Sequence, residues 1–317
     1  MNHEMQMTKI RNSFPVRGFL RRWGVTVFAA ALLLPGALRA AKTTEEQERA
    51  ALSSAQKLFD DHLYHLAETS LGHYLATYTN SPNRPYAVLY LARSRLEQSN
   101  YDGAIRFLLT NPPPPNGNLA GEYAFWIASA RFGKGEYEQA AEGFAGFIKN
   151  FPNADRELEA AYDEAESWSR LKNWSRVAEL LQKPDGAFRK LAAGAGQSSY
   201  AALGHLLLGE ALFAQGKFAD GEKVVGGMDA AGLGAEWQWR RRYLLCRLEL
   251  AGGRAAEALQ NNSNLLDNAS GPRHQAAGWF LRGEILVALG RTNDALQSFT
   301  NNLAADLPPE DQRQALS

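Results

Sequence analysis

The chain has 317 residues, 45% hydrophobic and 21% charged, with 34 basic and 34 acidic side chains. Such a composition excludes a disordered chain, and abundant Ala and Leu with few Val/Ile/Thr clusters point to helix rather than strand. Without residues 1–40 the balance falls to 28 basic and 33 acidic side chains, which leaves no electrostatic footprint for nucleic acid.

Arg21 and Arg22 close a basic opening segment, an apolar run spans Trp23 to Leu34, and Pro35-Gly36 precede Ala37-Leu38-Arg39-Ala40-Ala41. Basic, apolar and small-residue segments in that order make a secretory signal peptide. The apolar run is about 12 residues, short of the roughly 20 that span a bilayer, so a retained anchor is the weaker reading. Residues 1–40 are therefore expected to be removed. The mature chain would begin at Ala41 and be exported, with the periplasm the leading destination and secretion or outer-membrane association the others. No cysteine stands near the cleavage site to carry a lipid, and the sole cysteine, Cys246, permits no internal disulfide. It reads as a small core residue.

From about residue 43 one pattern recurs seven times: a small residue, then a second, usually small, twelve positions later within an apolar helical period. The first set is Ala55, Ala92, Ala128, Ala165, Gly209, Cys246 and Gly283. The second is Ala67, Ala104, Ala140, Val177, Gly221, Ala258 and Ala295. Small residues let the two helices of a hairpin approach, and larger neighbours fill the grooves around the crossing. Four residues past the second set stand Leu71, Leu108, Phe144, Leu181, Val225, Asn262 and Phe299, so Asn262 is expected to loosen the sixth repeat. Gly135, Gly216, Gly253 and Gly290, with Ser99 and Lys172 in the equivalent places, mark the turns. An aromatic follows two residues later at Tyr101, Tyr137, Trp174 and Phe218.

The set Trp279, Gly283, Gly290, Ala295 and Phe299, repeated in frame by Ala128, Gly135, Tyr137, Ala140, Phe144 and Phe147, resembles the tetratricopeptide repeat. The resemblance covers about residues 43–305 and implies an all-α fold, a right-handed α-α superhelix of about seven hairpins. The period of 36–37 residues exceeds the family's usual 34. Longer repeats with an aromatic-Pro ending, here Phe151-Pro152, are similar to those of exported bacterial envelope proteins that act in outer-membrane assembly and cell-division coordination.

Three stretches interrupt the register. Pro112 to Pro115, with Asn116-Gly117-Asn118, read as a rigid spacer between repeats two and three, or as an exposed polyproline ligand. Lys183 to Gln197, with Gly186, Gly194 and Gly196, lengthens one interval to 44 residues, and its glycines argue against continuous helix. After the solenoid (residues 41–305), Asp306 and Pro308-Pro309 read as the start of a short helical stub over residues 306–317. A stub that short would leave surface around Phe299 and Leu303 uncovered, so self-association through this end, or longer relatives, is expected.

Motifs for phosphate cradling, nucleophilic serine or zinc peptidase chemistry do not occur. His62, His65 and His73 fall in one hairpin without the spacing a metal site needs, so no metal is expected. Asp155, Glu157, Glu159, Asp163, Glu164 and Glu166 read as a solvated helix face, and Arg240-Arg241-Arg242 with Arg247 as arginine stems laid over Trp237 and Trp239, or as an anion site.

The resemblance implies that first helices line a concave groove through the residues six before, three before and one after each first small position. The candidates six before are Tyr86, Glu122, Glu159 and Arg240. Those three before are Phe125, Tyr162, Tyr243 and Phe280, and those one after are Arg93, Glu166, Glu210 and Arg247. An aromatic ladder flanked by charge would suit an extended or helical partner segment. The expectation is a scaffold for a protein or peptide partner, not an enzyme. It would take no cofactor or small-molecule substrate, and would touch membrane only through a partner. The alternative is a structural subunit of an envelope complex that supports a catalytic or membrane partner.

Overall fold

The computed structural model describes residues 35–303 except 115–118, 197, 229–231 and 233; the side chains of 35–43 and 303 are also outside the description. The basic and apolar runs read as a signal peptide, the end of the proline run and the expected C-terminal stub thus lie outside the described residues. Two compact units divide the chain, Met1–Gln47 and Glu48–Ser317, and the second holds the repeats.

The helices come in pairs. They are α1 (Pro35–Asp60) with α2 (Tyr64–Thr77), α3 (Arg84–Glu97) with α4 (Tyr101–Thr110), α5 (Ala120–Lys134) with α6 (Tyr137–Asn150), and α7 (Glu157–Arg170) with α8 (Trp174–Gln182). After a single α9 (Ala187–Gly194) follow α10 (Ser199–Ala214) with α11 (Phe218–Gly226), α12 (Ala235–Ala251) with α13 (Ala255–Asp267), and α14 (Pro272–Ala288) with α15 (Thr292–Leu303). No strand occurs among the described residues. Seven hairpins and one added helix make an all-α solenoid. Pro35-Gly36, read from sequence as helix breakers, instead begin α1, where a first-turn proline lacks only an N–H that has no helical partner.

All fourteen small positions are buried. The reason is visible where the residue is glycine: a Cβ on Gly283 would fall inside the Phe299 ring, and one on Gly209 would overlap Val225 and Leu244. First helices also pack on first helices of the next repeat, as in α3 on α5, α10 on α12 and α12 on α14. Apolar burial therefore runs as successive clusters along the unit, as nearest-neighbour stacking requires. Asn262 is fully buried at its packing position, where its Nδ2 donates to the Gly278 carbonyl at 3.0 Å, linking α13 to α14, while its Oδ1 is buried without a partner.

Every hairpin turns through one left-handed residue. Gly135, Gly216, Gly253 and Gly290 have φ of 88°, 72°, 82° and 71°, and Ser99 and Lys172 take 60° and 56°. The first hairpin does the same through His62 at 61°. That histidine is thus a turn residue, with its Nδ1 2.7 Å from the Tyr64 hydroxyl. An L side chain in this region costs about 1–2 kcal/mol, whereas glycine pays mainly in unfolded-chain entropy. Lys172→Gly is accordingly expected to raise stability by about 0.5–1 kcal/mol, read by urea denaturation; a loss would mean the lysine side chain holds the turn.

The 44-residue interval is not one continuous helix, as its glycines required, but it holds a short helix that the sequence reading did not place, with Gly186 just before α9 and Gly194 ending it. Phe188 anchors α9 by filling the space where Gly204 lacks a side chain, and α9 packs on α7, α8 and α10.

Candidate functional site

The three candidate positions of each first helix form one stripe, because residues three, four and seven apart share a helix face. On α3, Tyr86 is 41% exposed, and Arg93 lies two turns further along. On α5, Glu122 accepts from Trp126 Nε1 at 3.0 Å and from Arg156 Nε at 3.2 Å. Arg156 reaches Glu159 Oε2 at 2.5 Å, and the Tyr200 hydroxyl donates to Glu159 Oε1 at 2.6 Å. Four residues from α5, α7, α10 and the residue before α7 therefore form one chain of charge-assisted bonds.

Further along, the Tyr162 hydroxyl donates to Glu166 at 3.2 Å, and Arg170 Nε donates to the same carboxylate at 3.0 Å. Burial, with Glu166 beside it, holds the Tyr162 hydroxyl well above its ordinary pKa, so it remains a donor. Arg247 pairs with Glu210 at 2.7 Å, one repeat back, and lies 4.6 Å over the Phe213 ring. Tyr243 stacks on Trp239 at 5.0 Å, and Trp239 stacks on His274 at 4.0 Å.

Two expectations are corrected by this geometry. Phe125 is fully buried against Phe144 and Phe147, and Tyr162 at the equivalent position is 4% exposed, so both belong to the core and not to the exposed stripe. The acidic run of α7 is not a solvated face either: Glu159, Asp163, Glu164 and Glu166 are all buried. Hairpin neighbours cover them, a fact that the helix's own sequence does not carry. Of the arginine triplet, Arg240 lies over Trp237 at 5.2 Å, in keeping with a stem laid on an aromatic. Arg241 turns away to donate to the carbonyls of Val225 and Gly226, closing the end of α11. Phe280 is 37% exposed at the far end of the stripe. Sequence reasoning did not find Arg156, Trp126, Arg170, Tyr200 or His274; the only available signal was an aromatic or cation close to a stripe position.

A cavity of about 250 Å³ opens between α6, α7, α8 and α9, lined by Ile148, Leu180 and Phe188 among others, with Glu164 in its wall. Burial pushes the Glu164 carboxyl from its ordinary 4.5 up to about 7, and Arg176 at 3.9 Å offsets this only in part. Between those pH values the folded protein holds a proton that the unfolded chain has released, so stability falls as pH rises through about 7. Glu164→Gln is expected to stabilise by about 1–3 kcal/mol at pH 8 and to change nothing near pH 4, in urea titrations at both. A loss at pH 8 would show that ionised Glu164 makes a stabilising pair with Arg176.

Among the described residues no group of three or more His, Cys, Asp or Glu is placed to hold a metal, and no helix is long and apolar enough to cross a membrane. Cys246 is buried, its thiol pushed up to about 12 by burial, so it is a packing residue.

The family model described as a tetratricopeptide repeat-like domain matches residues 143–317, and a tetratricopeptide repeat model matches residues 122–154. No curated protein matches the chain. Among solved structures, a tetratricopeptide repeat protein from Parabacteroides merdae superposes with a TM-score of 0.57 at 17% identity, over 86% of this chain and 98% of that one. A Rap protein complexed with competence and sporulation factor gives 0.50 at 12% identity, over 82% and 77%. At these identities the likeness is one of fold.

Proposed function

The chain belongs to the tetratricopeptide repeat-like family, and on that premise we propose that it is an exported protein–protein interaction scaffold that takes a partner segment along its first-helix stripe. The observation that carries the reading is the stripe itself. It runs through successive repeats with exposed aromatics at Tyr86 and Phe280, and with rings and charges between them. A structure of this kind holds a linear segment by many small contacts on a rigid surface. The Rap protein was crystallised with a competence and sporulation factor, which supports partner binding on such a fold.

Export rests on the order of segments before Ala41. The periplasm is the destination we propose, with no catalysis assigned to the chain.

One experiment tests both halves: capture of the C-terminally tagged chain from the envelope fraction of its native host. The captured protein is expected to begin at Ala41. Tyr86→Ala with Phe280→Ala should weaken partner capture several-fold while moving the melting temperature little, because both side chains are partly solvent-exposed. An intact N-terminus on cytoplasmic protein would overturn export. Capture unchanged by both substitutions would overturn use of the stripe, and a single stoichiometric partner would favour a structural subunit over an adaptor.

A further inference from the structure

Arg93 projects from α3 into a box of rings. Its guanidinium carbon lies 4.7 Å from the centroid of Phe59, 5.3 Å from Tyr90 and 4.5 Å from Trp126. Rings alone do not satisfy a guanidinium, which carries five N–H donors and a permanent charge. Several other arginines stacked on rings have a carboxylate as well: Arg95 has Glu68 at 2.8 Å, Arg170 has Glu166 at 2.9 Å and Arg247 has Glu210 at 2.7 Å. Arg156 likewise stacks over Trp126 and pairs with Glu122 and Glu159. Arg240 over Trp237 and Arg282 over Trp279 have no such partner among the described residues, but each lies over a single ring rather than three.

Arg93 has the rings, with the Tyr90 hydroxyl beside it and the carboxylates of Glu122 and Glu97 acting on it at longer range, but it makes no ion pair among the described residues, and its Nε is buried without an acceptor. The acid on the neighbouring hairpin cannot readily swing over, since both Glu122 oxygens are taken by Arg156 and one also by Trp126. Stacking on rings returns less than a cation loses when it is taken out of water. A half-buried cation so placed is poised for an anion that is not part of its own hairpins.

We propose that Arg93 receives a carboxylate side chain of the partner segment, and that an apolar side chain beside that carboxylate lies over Tyr86. This rests on the first-helix stripe being the docking surface. The planar guanidinium, fixed between rings, presents a rigid fork to a planar carboxylate, so little side-chain entropy remains to be lost on binding. Tyr86, two turns earlier on the same stripe, is the adjacent exposed aromatic.

The test uses an array of octapeptides in which Glu or Asp alternates with Leu or Phe, and a matched array carrying Gln or Asn instead. Binding to the mature protein is read by fluorescence anisotropy. Acidic peptides are expected to bind at least about tenfold more tightly than their amide counterparts. Arg93→Gln should erase that preference, and Arg93→Lys should restore only part of it, because an ammonium lacks the planar fork. The melting temperature of Arg93→Gln should equal or exceed that of the wild type, since an unpaired half-buried charge is removed.

Equal binding of acidic and amide peptides, or a preference that survives Arg93→Gln, overturns the proposal. If Tyr86→Ala still weakens both arrays in that case, the stripe stands and only the role of Arg93 falls. Absence of binding from both arrays, or binding that no first-helix substitution alters, overturns the stripe and Arg93 together. Should Arg93→Gln fail to fold, the wild-type preference and its partial reduction in Arg93→Lys decide the matter, and an undiminished preference in Arg93→Lys overturns the proposal.

Discussion

Phe125→Ala is expected to lower the unfolding free energy by about 3–5 kcal/mol, the usual cost of removing a fully buried aromatic. Phe125 is the pivot of an aromatic group in the third hairpin, with ring centroids 5.4 Å from Trp126, 5.5 Å from Phe144 and 5.6 Å from Phe147. The Arg156 guanidinium lies 5.0 Å above its face. Truncation would open a cavity bounded by two helices of one hairpin and would loosen the seat of that arginine. Urea denaturation followed by circular dichroism measures the loss, with Phe280→Ala, at the equivalent stripe position but 37% exposed, as the control that should shift little. A Phe125→Ala protein of native stability that has lost its partner would reverse the assignment and make Phe125 a contact residue.

Arg156→Ala should cost about as much, roughly 3–5 kcal/mol, through charge rather than packing. Glu159 is 7% exposed, and Arg156 is its cationic neighbour at 2.5 Å; once the arginine is gone, the Tyr200 hydroxyl remains as the donor to an otherwise uncompensated carboxylate. Adding Glu159→Gln to Arg156→Ala is expected to recover part of the loss, because the buried charge is then absent. The four proteins of this double-mutant cycle give the coupling energy directly. Additive effects would show that the two side chains do not interact, and the ion-pair chain across the third and fourth hairpins would have to be abandoned.

Most of the architecture was legible because it is periodic. Thirteen small residues and Val177, paired at a constant spacing of twelve, mark helix crossings, and each lies buried where the spacing put it. Six of the turn residues were readable by position. The seventh, His62, stands at the same place, five residues before Ala67, and was passed over because its neighbours His65 and His73 drew it into a metal-site question instead. The breaks in the insertion were legible from its glycines, but the short helix between them was not, because α9 is anchored by Phe188 seated at Gly204, sixteen positions away.

Depth was the quantity that sequence could not supply for the stripe. Spacing tells which way a side chain points from its own helix, yet whether it reaches water depends on the next repeat. Phe125 and Phe280 occupy equivalent positions and end in opposite environments for that reason. The acidic run on α7 differs from a solvated run by what its neighbours bring to it: Arg156 and Tyr200 at Glu159, Arg170 at Glu166 and Arg176 near Glu164.

The added helix changes the mechanics of the array. Regular repeats touch only their neighbours, so a stack of them behaves as a spring whose compliance is shared evenly along its length. At α9 three helices from two adjacent hairpins grip one short element, through α7, α8 and α10. That locks the bend between the fourth and fifth hairpins while the joints on either side keep their give. Under thermal motion or load, the repeats before and after would flex as two arms about a stiff elbow, and a long partner would have to conform to an angle set at that elbow.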